Sequence, residues 1–192
     1  NIREEDGYGL RPNIGFRGVT PERSKKVTIL EDGVLIGPAP YSAPAAYYFP
    51  VTTRMTAVEV FKGPAAIKHG PQTVAGTLNM VTRQVPFELT GGLDLATGTD
   101  GYQKAHGYFG TEVAKNLGVL VEGVRLQADG FKEIDNGGDS GFKKNDLLVK
   151  TKYLLDGQAL DQSFELKLSY ADENSDETYL GLTDADFNAN PY

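Results

Sequence analysis

The chain has no cysteine and no tryptophan, and only two methionines and two histidines, in 192 residues. Without cysteine there can be neither a disulfide framework nor a thiolate metal site. Such a composition fits any compartment, the bacterial envelope included. The two histidines, His69 and His106, fall in different halves, with no carboxylate or cysteine at ligand or acid–base spacing. A metal centre or a catalytic pair therefore has little to stand on. No apolar run approaches the ~20 residues that a membrane-spanning helix needs. The N-terminus, "NIREEDGYGL", lacks a basic stretch followed by an apolar core, so no secretion signal is visible. It also lacks an initiator methionine, as a mature form or a fragment would. An excess of positive charge is missing too. The net charge is -7 and the pI about 4.9, which argues against a nucleic-acid partner, because such a partner calls for a basic face.

What is abundant is glycine, at 23 residues, with 10 tyrosines and 9 phenylalanines. That combination suits short strands joined by turns better than helices. Up to about Pro86 the chain is dense in proline and glycine. "KVTILEDGVLIG" (26–37) reads as strand, Asp-Gly turn, strand, a hairpin pattern. "APYSAPAAYYFP" (39–50) carries three prolines after its first residue and predicts a long irregular loop. "MTAVEVFKG" (55–63) and "AGTLNMVTR" (75–83) predict two more strands. This half reads as a small α+β domain, residues 1–86.

From Phe87 onward the pattern changes to strict alternation. Leu89, Leu93 and Leu95 oppose Thr90 and Asp94; Ala105, Phe109 and Val113 oppose Lys104, His106, Tyr108 and Glu112. Leu148, Lys150 and Lys152 oppose Leu147, Val149, Thr151 and Tyr153; Phe164, Leu166, Leu168 and Tyr170 oppose Glu165, Lys167 and Ser169. The run 117–129 is strand-like, but Val119 and Val121 compete for phase with Leu120, Val124 and Leu126. These runs are close to the ~9–11 residues of a tilted bilayer-spanning β-strand. Any half-exposed antiparallel sheet alternates as well. On alternation alone a soluble β-sandwich, such as an adhesin or carbohydrate-binding module, is the favoured reading. The acidic run "ADENSDE" (171–177) lacks the glycine and ligand spacing of a calcium loop and reads as a solvated loop.

"VEVFKGPAAIKHG" (58–70) has the strand, glycines and lysine of a phosphate-binding loop. Its glycines, Gly63 and Gly70, are seven apart, Pro71 stands where the lysine belongs, and Pro64 removes an amide. A phosphate cradle needs that lysine and those amides. The nucleotide reading fails. What remains is a strand end, a short turn or helix over Ala65–Lys68, and a tight reversal at Gly70.

Four segments taken together resemble the ordered motifs of the TonB-dependent receptor plug: "NIGFRG" (13–18), "VTILEDGVLIG" (27–37), "VEVFKGPAAIKHG" (58–70) and "QTVAGTLNMVTR" (72–83). The resemblance covers residues 13–86, and beyond them only the alternation. It implies a plug domain over 1–86, followed over 87–192 by the first five or so strands of an antiparallel transmembrane β-barrel. Plugged transporters of this sort have about 22 strands, and an open sheet would leave unpaired edges in lipid. The resemblance therefore makes this chain a fragment of a longer outer-membrane protein of a Gram-negative bacterium.

"DGVLIGPAPYSAP" and "KHGPQTVAG" are most similar to the ferric dicitrate type, and 176–192 is similar to a segment of ferric-siderophore receptors. The resemblance implies transport, with no chemistry on the ligand, no catalytic residue and no cofactor. The cargo it implies is a ferric chelate, ferric citrate or a siderophore, with cobalamin or a carbohydrate as the alternative. The partner it implies is a TonB-type energy-coupling protein acting on a segment upstream of this chain. Apical plug loops face the ligand in that family, which points to Tyr41, Ser42, Tyr47 and Tyr48. An anionic chelate would call on Arg17 and Arg23, with Lys25 and Lys26 beside them, for charge-assisted contacts. Arg17 serves a structural ion pair as readily. The ferric dicitrate type carries Gln after the "APY-small" segment; here Ala43 follows Ser42.

Overall fold

The computed structural model describes residues 1–4, 7–36, 48–70, 73–132, 134, 138–155, 161–176 and 182–191. The chain forms two compact units, Asn1–Arg83 and Gln84–Tyr192.

The first unit holds a two-stranded ladder, β1 (Ile2–Arg3) with β2 (Asn13–Ile14), and a four-stranded sheet. The sheet comprises β3 (Val27–Glu31), β4 (Val34–Leu35), β5 (Met55–Phe61) and β6 (Gly76–Thr82), in the order β4-β3-β6-β5. Glu31 pairs with Val34 across Asp32 (φ 50°) and Gly33 (φ 81°). Two successive positive φ values define the primed turn that Asp-Gly favours. β3 and β6 run parallel, from Val27↔Gly76 to Glu31↔Met80, while β4 and β5 form antiparallel edges. Ile14, Val27, Ile29, Phe49, Ala75, Leu78 and Met80 build the core of this unit. Full burial of a side chain of the Val/Ile/Phe/Met kind contributes about 1.5–3 kcal/mol. Gly63–His69 forms 3₁₀ turns with Pro64 in its first turn, and Gly70 (φ 118°) ends it. At Gly76 (φ 151°) a Cβ would meet Phe61 O at 2.6 Å, so only glycine lets β6 start there.

The second unit is one antiparallel meander, β7 (Thr90–Thr97), β8 (Gln103–Ala114), β9 (Leu117–Ala128), β10 (Phe142–Leu155) and β11 (Gln162–Ser175), paired in sequence order. Directly opposed residues share a face, so the register sorts the side chains. One row runs Gly91↔Phe109↔Val121↔Val149↔Leu168, another Thr111↔Val119↔Thr151↔Leu166. This face is apolar and open: Leu93, Leu95, Phe109, Leu168 and Tyr170 are all more than half exposed. Among the described residues of this unit no second sheet covers it. The phase of β9 is thereby fixed, with Val119 and Val121 on the apolar face and Leu120, Glu122 and Val124 on the other.

The run 171–175 continues β11 instead of forming an acidic loop. Asp172 keeps the outward phase, and Glu173 points to the other face, where it pairs with Lys144 at 2.8 Å. A short helix, α1 (Asp184–Ala189), follows, with Thr183 accepting the Asp186 amide as its cap.

Candidate ligand-binding face

β3 and β6 point one way and β5 the other, so the sheet of the first unit has two chemically distinct ends. The end reached by Glu31 and Thr82 is a closed polar network. Arg54 Nη1 and Nη2 donate to Glu31 Oε1 and Oε2 at 2.9 and 3.0 Å, with Arg54 only 1% exposed. Asp32 accepts from the Thr82 amide at 2.8 Å and from its hydroxyl at 2.6 Å. Asn79 accepts from the Gly33 amide and donates to Glu59, both at 2.8 Å. These bonds tie the 3₁₀ turn Thr52–Arg54 to β3, the hairpin turn to β6, and β6 to β5. They hold the chain that enters β5 to the sheet.

The opposite end gathers cations and rings. Ile36, leaving β4, donates to Ile29 O and heads toward this end. Arg17 (φ 55°) sits in the turn closed by the Val19 amide on Phe16 O, with its Nη1 3.6 Å from the position of a Cβ at Gly63. Lys62 Nζ lies 5.7 Å from the Phe16 ring centre and Lys68 Nζ 5.4 Å from that of Phe61; the Phe61 and His69 rings are 4.8 Å apart. Each contact is of cation–π or ring-stacking kind.

Arg23 (φ 49°) and Ser24 (φ 54°) are consecutive left-handed residues, which cost energy unless their neighbours hold them. Asn13 holds them by accepting the Arg23 amide. Ser24, wholly buried, accepts from the Ile14 amide and donates to Pro12 O. The Arg23 side chain is thereby turned outward. Lys25 is spent on Glu22 at 2.6 Å, and its hydrogen bond and charge hold the Glu22 carboxyl below its ordinary range. Arg17, Arg23, Lys26, Lys62 and Lys68 have no carboxylate partner among the described residues. Residues 1–83 carry ten Lys/Arg against seven Asp/Glu, whereas 84–192 carry nine against nineteen. The acidic chain thus has a basic first unit. Such a surface can attract anions, and its rings offer apolar contact.

Of the residues expected to touch ligand, Arg17 and Arg23 come to this same end of the sheet, both exposed, and Tyr48 is half-buried. Its neighbour Phe49 is core, at 4% exposure. Tyr41, Ser42 and Tyr47 lie outside the described residues. The sequence pattern missed Phe16, the neighbour of Arg17, and Lys62, Lys68 and Phe61, which only the antiparallel pairing of β5 with β6 brings to the Arg17 end. Among the described residues no three His, Cys, Asp or Glu converge as metal ligands.

On its other face the second unit is laced by ion pairs and hydrogen bonds across neighbouring strands. Lys104 meets Asp94 at 2.6 Å, His106 Nε2 meets Glu122 Oε1 at 2.7 Å, and Lys150 meets Glu165 at 3.5 Å. His106, which has no carboxylate at a telling spacing in sequence, gains one from the next strand. Glu122 and Lys150 are at most 1% exposed. One face apolar, the other charged, is the division that a lipid-facing wall around a polar interior requires.

Residues 1–77 match the TonB-dependent Receptor Plug Domain family. Over 151 residues the chain is 29% identical to the "Vitamin B12 transporter BtuB" of Photobacterium profundum, covering 75% of this chain and 24% of that protein. Among solved structures, the copper transporter OprC aligns with a TM-score of 0.67 at 22% identity, over 90% of this chain and 26% of that one. The siderophore receptor PirA from Acinetobacter baumannii aligns at 0.59 and 21%, over 90% and 27%. The chain spans about a quarter of the length of these relatives. The likenesses show the fold: a plug followed by antiparallel strands of a plugged barrel. The family is one of outer-membrane transport receptors of Gram-negative bacteria, not of enzymes.

Proposed function

We propose, from the premise that residues 1–77 belong to the TonB-dependent receptor plug family, that the whole protein imports a ferric chelate, a siderophore or ferric citrate, across the outer membrane. Residues 1–86 act as the plug and 87–192 as the first barrel strands, with the remaining strands supplied by the rest of the protein. The basic, ring-lined end of the first unit's sheet carries this reading, because ferric citrate and most siderophore complexes are anionic. Arg17 and Arg23 supply charge-assisted contacts, and Tyr41, Ser42, Tyr47 and Tyr48 complete the site from the loop that leaves at Ile36.

Binding shifts the plug between two arrangements, and a TonB-type protein of the inner membrane pulls on a segment upstream of this chain to open the path. The clamp at Arg54–Glu31 fixes the stem that returns to β5 onto β3, so a displacement of the loop is passed to that strand. The ligand is carried, not transformed.

The likeness to BtuB supports a second reading, import of a corrinoid, and the two differ in charge. Uptake of radiolabelled iron chelates by cells with and without the protein tests the first. Uptake should appear with the protein and vanish when the inner-membrane energy coupler is deleted. Labelled cobalamin accumulating in its place would favour the second.

A further inference from the structure

Between β6 and β7 the chain runs through a short strap, Val85–Phe87, which by its contacts belongs to the second unit. Val85 precedes a proline, which favours an extended backbone, and Pro86 has no amide to satisfy in a ladder. Neither residue lies in a strand. Val85 is nonetheless only 6% exposed.

The strap is seated on two glycines. Gly110 of β8 and Gly118 of β9 are diagonal neighbours on the charged face of the wall, because Gly110 opposes Leu120 and Glu112 opposes Gly118. Both are buried. A Cβ at Gly118 would stand 2.8 Å from Val85 Cγ1, 3.0 Å from Pro86 O and 3.4 Å from Phe87 Cζ. One at Gly110 would stand 2.5 Å from Pro86 Cγ and 2.8 Å from its Cδ. The strap thus fills the space that two side chains would take. Glycine inside a strand weakens it, and often marks a place where another backbone comes close. Thr90, three residues beyond Phe87, opens β7 and pairs with Gly110 itself. The chain therefore crosses β9, then β8, and joins the sheet as the next strand. Lys115 and Asn116 join β8 to β9 beside this seat, and outer-membrane barrels put such short turns in the periplasm.

The other end of the strap leads to an equally firm anchor. Thr82, wholly buried, donates its amide and its hydroxyl to Asp32 at 2.8 and 2.6 Å. Only Arg83 and Gln84 stand between Thr82 and Val85, and three Cα–Cα steps span at most about 11 Å.

We infer that Gly110 and Gly118 are positioning residues for transport, which seat the strap on the wall and keep it seated while cargo passes. The end of β6 is then tethered. The displacement that opens a path arises upstream of β6, and the first unit does not leave the barrel as one body. This rests on the transport reading above. A side chain at Gly118 presses first on the strap, since the three atoms nearest its Cβ all belong to Val85, Pro86 and Phe87.

The test uses the full-length receptor in cells. Val85→Cys with Gly118→Cys sets the two Cβ atoms no more than about 4.3 Å apart, one C–C bond beyond the 2.8 Å contact and within disulfide range. The bridge should form on mild oxidation of the resting receptor. The bridged form should import the iron chelate at least as fast as the reduced form of the same variant. Failure to bridge, or import that is lost on oxidation and returns on reduction, overturns the proposal. Gly118→Leu is the converse. Overpacking a close contact shifts an equilibrium by roughly 5- to 150-fold, so the saturating rate of import should fall by about tenfold. Cargo affinity and folding into the outer membrane should match the parent. Import equal to the parent's, or affinity lost in step with rate, overturns the positioning role; if this variant does not fold, the bridge alone decides. Bridging at rest needs no cargo. A parent that imports neither iron chelate nor cobalamin therefore removes the transport reading and leaves the seat to be judged by the bridge.

Discussion

Removing Arg54 is the sharpest perturbation of the plug. Its guanidinium makes two near-parallel bonds to Glu31, 2.9 and 3.0 Å long, and the two residues are 1% and 6% exposed. Arg54→Ala leaves the Glu31 carboxylate buried without the Arg54 guanidinium. Breaking such a pair from one side costs about 3–5 kcal/mol, because the desolvation already incurred is no longer offset. At ~1.36 kcal/mol per decade this is two to nearly four orders of magnitude in a local opening constant. Amide exchange of β3 and β6 in the full-length receptor reads that constant, since both strands are tied to the clamp. Protection at Ile29, Leu30 and Met80 should fall by at least ~100-fold. Replacing both partners, Arg54→Met with Glu31→Leu, removes the buried charge and should restore most of the protection. A loss below tenfold in Arg54→Ala, or a double variant as open as the single one, would refute the reasoning.

The wall makes two further predictions. Leu168→Arg puts a cation in the middle of the apolar band and should cost about 2–4 kcal/mol in urea-titrated folding into vesicles; Ser169→Arg, on the other face, should cost far less. Gly92→Ala drives a methyl into the Tyr108 ring, whose nearest carbon would stand 2.6 Å away. It should destabilise by about 1–3 kcal/mol in the same assay, and Tyr108→Ala in the same chain should recover part of that loss by making room.

The strands of the wall were legible because one face meets an apolar surrounding and the other does not, which prints a period of two on β7, β8, β10 and β11. β9 was ambiguous for a physical reason: its inner face carries Leu120 and Val124, buried and apolar, so Glu122 alone marks the phase. The hairpin at Asp32–Gly33 was equally readable, since few dipeptides tolerate two positive φ values. What could not be read was pairing between distant segments. The parallel contact of β3 with β6, the meeting of Arg54 with Glu31 across 23 residues, and that of His106 with Glu122 across 16 depend on register. The basic end of the plug sheet is of the same kind. Arg17 stood out by its motif, but Lys62 and Lys68 join it only because β5 returns antiparallel to β6. The acidic stretch 171–175 misled because composition suggested a loop, whereas its alternate residues serve two faces of one strand.

The height of the apolar band agrees with a bilayer. Leu147 to Leu155 covers nine residues of β10, eight steps along the strand, or about 27 Å at ~3.4 Å per step and roughly 21 Å of height at a tilt of ~40°. Outer-membrane barrels show a band of about 25 Å. Tyr170 stands at one margin of the band and Tyr153 with Phe164 at the other, as interfacial aromatics do.

Calorimetric titration of the full-length receptor in detergent decides what it carries, using ferric dicitrate, iron-free citrate, a hydroxamate and a catecholate siderophore, and cobalamin. We expect one ferric chelate to bind tightly and its iron-free form weakly. Arg17→Ala and Arg23→Ala should each weaken binding by about ten- to hundredfold, the worth of a charged hydrogen bond. Tight binding of cobalamin with no response to any ferric chelate, or a ferric complex indifferent to both arginines, would contradict the assignment.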